Sequence, residues 1–164
     1  MPLTTAQLTT LKAAILAETA PAFVAARNNG QTPLMREWLD AALSPAINCW
    51  RSSVPAQDAD ECTPWVAFDT LSAGKRESWN VAFMRYPRDF TRAPVRKWVT
   101  DIWGVAAVGS SAEAIFTGCA MRAITRAEGI LGGSNTASIN TVSARKLSWE
   151  GPLTDQDIGA ALEG

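Results

Sequence analysis

The 164-residue sequence contains no histidine. That absence removes the usual general base near neutral pH, every Ser-His or Cys-His nucleophile pair, and every histidine-bearing metal site. Cysteine is scarce as well. Cys49, Cys62 and Cys119 are an odd number without CxxC spacing, which fits neither a disulfide framework nor a zinc site. Buried or free thiols in a reducing compartment are the expectation. Charge is thin, at 19% of residues and a net −1, so the molecule as a whole carries no electrostatic footprint for nucleic acid or an acidic membrane. Long apolar runs are missing too: charge or glycine breaks each well short of the roughly 20 residues of a membrane span. No cationic region precedes the first apolar stretch, so no secretory signal is expected and the chain reads as a cytosolic product.

What is present is core material. Apolar residues make up 47% of the chain, and seven are tryptophan. Tryptophan fills cores but is also favoured where protein meets protein. The length suits one domain, or one domain with an arm.

Helix signals dominate. In "LTTAQL", Thr4 and Gln7 form a capping box, with Leu3 and Leu8 at the hydrophobic-staple positions. Pro21 either begins a second helix or kinks the first, and Gly30 ends it. Thr32 and Pro33 open another, with Leu34, Met35, Trp38 and Leu39 on its apolar face. The pattern weakens between Ser44 and Phe68, where "AINCW" reads as a helical turn or a short strand. The segment "TRAPVRKWVTDIWG" is the cleanest amphipathic one: Val95, Trp98, Val99, Ile102 and Trp103 share a face and Gly104 supplies the stop. Ser110 and Glu113 form a capping box for a helix to about Leu131. The spacing thus predicts a bundle from helices over 72–85, 91–103 and 110–131, burying Trp79, Trp98 and Ile124.

Residues 132–145, "GGSNTASINTVSAR", break this regime. Gly132–Gly133 cannot continue a helix cheaply, and the Ser/Thr/Asn run competes with regular backbone bonding. "SINTV" has the alternation of a short strand, "KLSWEGPL" reads as extended, and Thr154 caps a last short helix. The fold class expected is all-α: a helical bundle with a polar loop, an extended C-terminal arm and room for a short β-hairpin. Residues 1–131 would be the body and 132–164 a flexible loop plus docking arm, anchored by Trp149, Leu153, Ile158 and Leu162. The competing reading is a surface loop followed by an ordinary terminal hairpin and helix.

No catalytic motif supports an enzyme. Asp58, Asp60 and Glu61 lack the later ligands and the glycine of a calcium loop. "GILGGSNTAS" follows a helix rather than a strand and lacks the Gly-Lys-Ser/Thr ending of a phosphate loop. The expectation is a non-enzymatic protein without cofactor or metal. Charge is nonetheless unevenly spread. Arg85, Arg88, Arg92, Arg96 and Lys97 face only Asp89, whereas from Glu150 onward the tail is purely acidic. These are two solvated surfaces, or a basic patch meeting a neighbour's acidic one, or arginines lying against DNA phosphates.

The strings "PLTTAQLTTLKAAILAE", "DTLSAGKRESWNVAFM", "RAITRAEGIL" and "LSWEGPLTDQDIGAAL" resemble a group of proteins encoded by tailed bacteriophages and prophages. A helical body with an extended C-terminal segment is similar to the head-to-tail adaptors of the phage neck. The resemblance implies a structural virion protein: a homo-oligomeric ring, a dodecamer in the adaptors. It would lie between the portal protein and a tail-side neck protein, around double-stranded DNA. It would assemble in the host cytoplasm and reside in the virion neck. Alternatives are a tail terminator, a capsid-associated protein, or a phage-encoded assembly or regulatory binding module.

Overall fold

The computed structural model describes residues 2–163. Among them the elements run α1 (Thr5–Ala17), α2 (Pro21–Asn28), α3 (Thr32–Asp40), β1 (Asn48–Trp50), α4 (Ala56–Glu61), α5 (Trp65–Phe68), α6 (Ala73–Phe83), α7 (Ala93–Trp103) and α8 (Ser111–Ile115). A π-helical segment (Phe116–Ala120) leads into β2 (Met121–Ala123), followed by α9 (Arg126–Leu131), β3 (Thr136–Ile139), β4 (Val142–Arg145) and α10 (Asp155–Glu163). The four strands form one mixed sheet in the order β2-β1-β4-β3, β1 and β4 being parallel and β3 and β4 antiparallel. The all-α expectation is therefore wrong: this is a mixed α/β protein. The helix expected over 110–131 is also corrected. It ends at Ile115, widens to a π segment and becomes a strand: Gly118 weakens the helix, and β1 pairs with Met121–Ala123.

The local signals that held are caps. Thr4 and Gln7 form the expected box. Pro21 stands in the first turn of α2, and Pro33 in that of α3. Ser110 accepts from the Glu113 amide, while the Glu113 carboxylate reaches back to Gly109 N rather than to the cap itself. Gly104 ends α7 with φ 91°, a conformation other residues adopt only under strain.

The chain divides into two compact units, each assembled from separated segments. Unit 1 comprises residues 1–47, 123–134 and 147–164; unit 2 comprises 48–122 and 135–146. The division expected at residue 131 does not occur. In unit 1, Leu11, Ile15, Phe23, Met35 and Leu39 bury together with Ala127 and Leu131 of α9 and with Leu153, Ile158 and Ala161 of the C-terminal stretch. Gly132 and Gly133 form the C-terminal end of α9. Gly132 caps α9 in right-handed geometry, Gly133 follows at φ 76°, and a Cβ on Gly132 would meet the Glu128 carbonyl at 2.6 Å.

Unit 2 is organised by rings. Trp50, Phe116, Phe90, Phe83, Trp79, Trp103, Phe68 and Trp65 form one continuous run, with neighbouring centroids between 4.4 and 6.3 Å. The polar residues of the loose-looking 135–146 segment belong to this unit as the β3–β4 hairpin. Its turn is set by Asn140 at φ 52°, and Ala106 N donates to the Asn140 side chain. Val142 and Ala144 face inward while Ser138 and Ser143 bond to each other outside.

If residues 147–164 belong to the core of unit 1, Ile158→Ala should cost about 2–5 kcal/mol in urea unfolding followed by circular dichroism. Near-wild-type stability would return this segment to the role of a detachable arm.

Candidate protein-interaction groove

Helices α6 and α7 pack side by side in unit 2, each burying one stripe and leaving the other to solvent. On α6, Trp79 and Phe83 turn inward; on α7, Val95, Val99 and Ile102 do so. Between the outward margins runs an open groove of about 450 Å³. Val81, Ala82, Ile102 and Trp98 line it, with Glu77 and Asp101 at the rim. Trp98 is 46% exposed and Val81 44%, so water meets a substantial apolar surface here. Asp101 is bonded to Lys97 one turn earlier at 2.6 and 2.8 Å. Glu77 makes no ion pair among the described residues. The Arg88 guanidinium lies over the Trp98 ring, 5.8 Å from its centroid, while Arg88 Nε donates to the Ala82 carbonyl. These contacts hold the indole in place without covering it.

Trp98 was expected in the core, and the structure corrects that. At about 100° per residue, Val95, Val99 and Ile102 define an arc whose two margins are Trp98 and the Arg96–Trp103 side. The buried arc is rotated toward the second margin. Trp103 enters the ring run there, and Arg96 beside it is only 5% exposed. The sequence signal that could have found the groove is this width: five apolar positions on α7 exceed what one buried stripe needs.

The five basic candidates are consequently not one surface. Arg96 donates from Nη1 to the Phe90 carbonyl at 2.6 Å and stacks over Trp50 at 5.0 Å, leaving Nε without a partner. Burial lowers its pKa, and Asp89 opposes that shift. It is an interior residue, not one facing DNA. Arg88 is half-buried over Trp98. Arg85, Arg92 and Lys97 are exposed, Arg92 at the N-cap of α7 and Lys97 paired with Asp101.

The four docking candidates are likewise placed inside unit 1. Leu153 and Ile158 are buried; Trp149 and Leu162 are half-buried against the same cluster. Their backbone is secured by acids. Gly151 N donates to the buried Glu128 carboxylate at 3.2 Å, Leu153 N to Asp40 at 3.1 Å, and Asp155 pairs with Arg36 at 3.1 Å. The expectation that they anchor on another protein missed α9 and α3 as their partners. Sparse apolar residues reveal nothing about which surface receives them.

No group of three or more Cys, Asp or Glu side chains is gathered to hold a metal ion among the described residues. Asp58, Asp60 and Glu61 lie on α4, where Asp58 pairs with Arg51 at 2.7 Å and Glu61 accepts from Gln57. Among the described residues no single helix is long and apolar enough to cross a membrane. The fold and groove thus define a mixed α/β protein with an exposed apolar groove between α6 and α7. Compared with protein-family models, curated proteins and solved structures, the chain gives no match.

Two truncations on α7 should separate the two margins. Arg96→Ala should destabilise the protein by about 2–3 kcal/mol, since it empties an interior site and strands the Phe90 carbonyl. Arg92→Ala should stay within about 0.5 kcal/mol. Equal effects in thermal unfolding would put Arg96 at the surface.

Proposed function

We propose that this chain is a structural adaptor that acts by docking through the α6–α7 groove, and that its setting is the neck of a tailed bacteriophage. There it would form a ring between the portal protein and a tail-side neck protein around packaged DNA. The observation that carries the docking reading is the half-exposed Trp98, held in place by Arg88 above an apolar floor. Pre-positioned tryptophans contribute disproportionately to protein contacts because they desolvate a large area at little cost in side-chain entropy. The neck setting rests on the resemblance of the quoted sequence strings to phage proteins. The occupant assigned to the groove is an apolar segment of the adjoining neck protein, with its own cation against Glu77.

The C-terminal segment has no part in this reading, since its apolar side chains are spent on unit 1. Exposed Arg85 and Arg92 remain available to DNA phosphates as positioning contacts.

Trp98→Ala should leave the purified protein folded, lowering stability by no more than about 1 kcal/mol, yet abolish incorporation into particles. Quantitative mass spectrometry of purified virions should find the wild-type chain at about a dozen copies. Its absence from virions would overturn the neck assignment. Normal incorporation of the Trp98 variant would overturn the groove.

A further inference from the structure

Two of the three cysteines meet in unit 2. Cys62 is the C-cap of α4 and half-buried; Cys119 lies in the π-helical segment and is 1% exposed. Cys62 Sγ packs against Gly118, the residue before Cys119, so the two thiols adjoin, and the Cys119 thiol donates to the Ile115 carbonyl at 3.3 Å. The approach depends on the residue between them in space. A Cβ on Gly118 would stand 3.0 Å from Cys62 Sγ, tighter than side chains normally pack, so glycine at 118 is what lets the α4 end close onto the π segment. Arg51 braces the same corner, donating to the Cys119 carbonyl at 3.0 Å and pairing with Asp58 at 2.7 Å.

We propose that Cys62 and Cys119 form an oxidisable dithiol, a modification site that a low-molecular-weight disulfide of the glutathione class converts to an intramolecular disulfide. The proposal is independent of the docking reading. Neighbouring thiols held by packing rather than by chance collision have a high effective concentration for exchange. The first step falls to Cys62, the more exposed of the two residues. Its thiolate attacks the oxidant, a mixed disulfide forms on Cys62, and one equivalent of glutathione thiolate leaves. Cys119 then loses its proton to water and attacks the Cys62 sulfur, expelling the second glutathione thiolate. The two protein thiols are oxidised by two electrons, and one glutathione disulfide is reduced to two thiols.

The environment sets the order and the pace. Burial, then the adjoining Cys62, push the Cys119 thiol well above its ordinary pKa; Asp58 adds to this and the Arg51 guanidinium opposes it. Cys119 therefore stays protonated at neutral pH, and closure is the slow step, accelerating as pH rises. The loop closed by the bond carries α5, α6, α7 and α8. A cross-link over so long a stretch constrains the unfolded chain strongly.

The test uses the full-length folded protein incubated with oxidised glutathione from about pH 7 to about pH 9, quenched with iodoacetamide and analysed by intact mass and peptide mapping. Two thiols should disappear together, with a 62–119 cross-linked peptide, faster closure at higher pH, reversal by dithiothreitol, and a melting midpoint raised by about 5 °C or more. Cys119→Ala should stop at a stable glutathione adduct on Cys62, Cys62→Ser should block the reaction, and Cys49→Ala should behave as wild type. Should a variant fail to fold, the wild-type peptide map decides alone. Three thiols still alkylatable at the highest pH, a cross-link through Cys49, or closure seen only in denaturant would overturn the proposal.

Discussion

The run of eight aromatic rings from Trp50 to Trp65 is the constraint on which unit 2 depends. β1, α5, α6, α7 and the π-helical segment each contribute at least one ring, and none is long enough to be stable alone. α5 is four residues long, yet it supplies Trp65 and Phe68; β1 is three residues long and supplies Trp50. Edge-on and tilted ring contacts favour particular geometries, so the run fixes relative orientation as well as burying area. Two of its indole N–H groups are satisfied, whereas Trp103 Nε1 is buried without a hydrogen-bond partner. Trp50 Nε1 donates to the Ala137 carbonyl at 2.8 Å, tying the β3–β4 hairpin to β1, and Trp79 Nε1 donates to Thr63 at 3.0 Å.

Unit 1 uses a different device. Its helices α1, α2 and α3 come from the N-terminal third, but its core closes only when α9 and α10 arrive from the far end of the sequence. Glu128, 2% exposed, is central to that closure. It completes the capping box with Thr125 and also accepts from Gly151 N, so one buried carboxylate secures a helix start and the C-terminal stretch. A buried charge is tolerable when several amides meet it.

The groove follows from the same packing. The ring run claims Trp103 and draws Arg96 over Trp50, which rotates α7 and leaves Trp98 on its outer margin. The exposed apolar surface is therefore a consequence of how α7 meets the sheet side of its unit, and it is held still by Arg88. In the docking role proposed above, a tryptophan already positioned in this way would lose little side-chain entropy on binding.

The sequence by itself determined several helix starts and the end of α7. Thr4–Gln7, Pro21, Pro33, Ser110, Thr154 and Gly104 act through bonds within a few residues, so their meaning survives any tertiary arrangement. It also marked the polar 135–146 stretch as non-helical, with "SINTV" as strand material that the hairpin uses. Only the tertiary structure decided the fold class and the site. β1 and β2 are three residues each, too short to carry a periodic signal, and they exist because each satisfies another's backbone edge. Helical spacing told which residues of α7 are apolar, but which arc of that broad face is buried depends on Trp50 and Phe90, far away in sequence. Leu153 and Ile158 looked like anchors awaiting a partner for the same reason: a sequence shows that a side chain needs a surface, and only the fold shows that its own chain provides one.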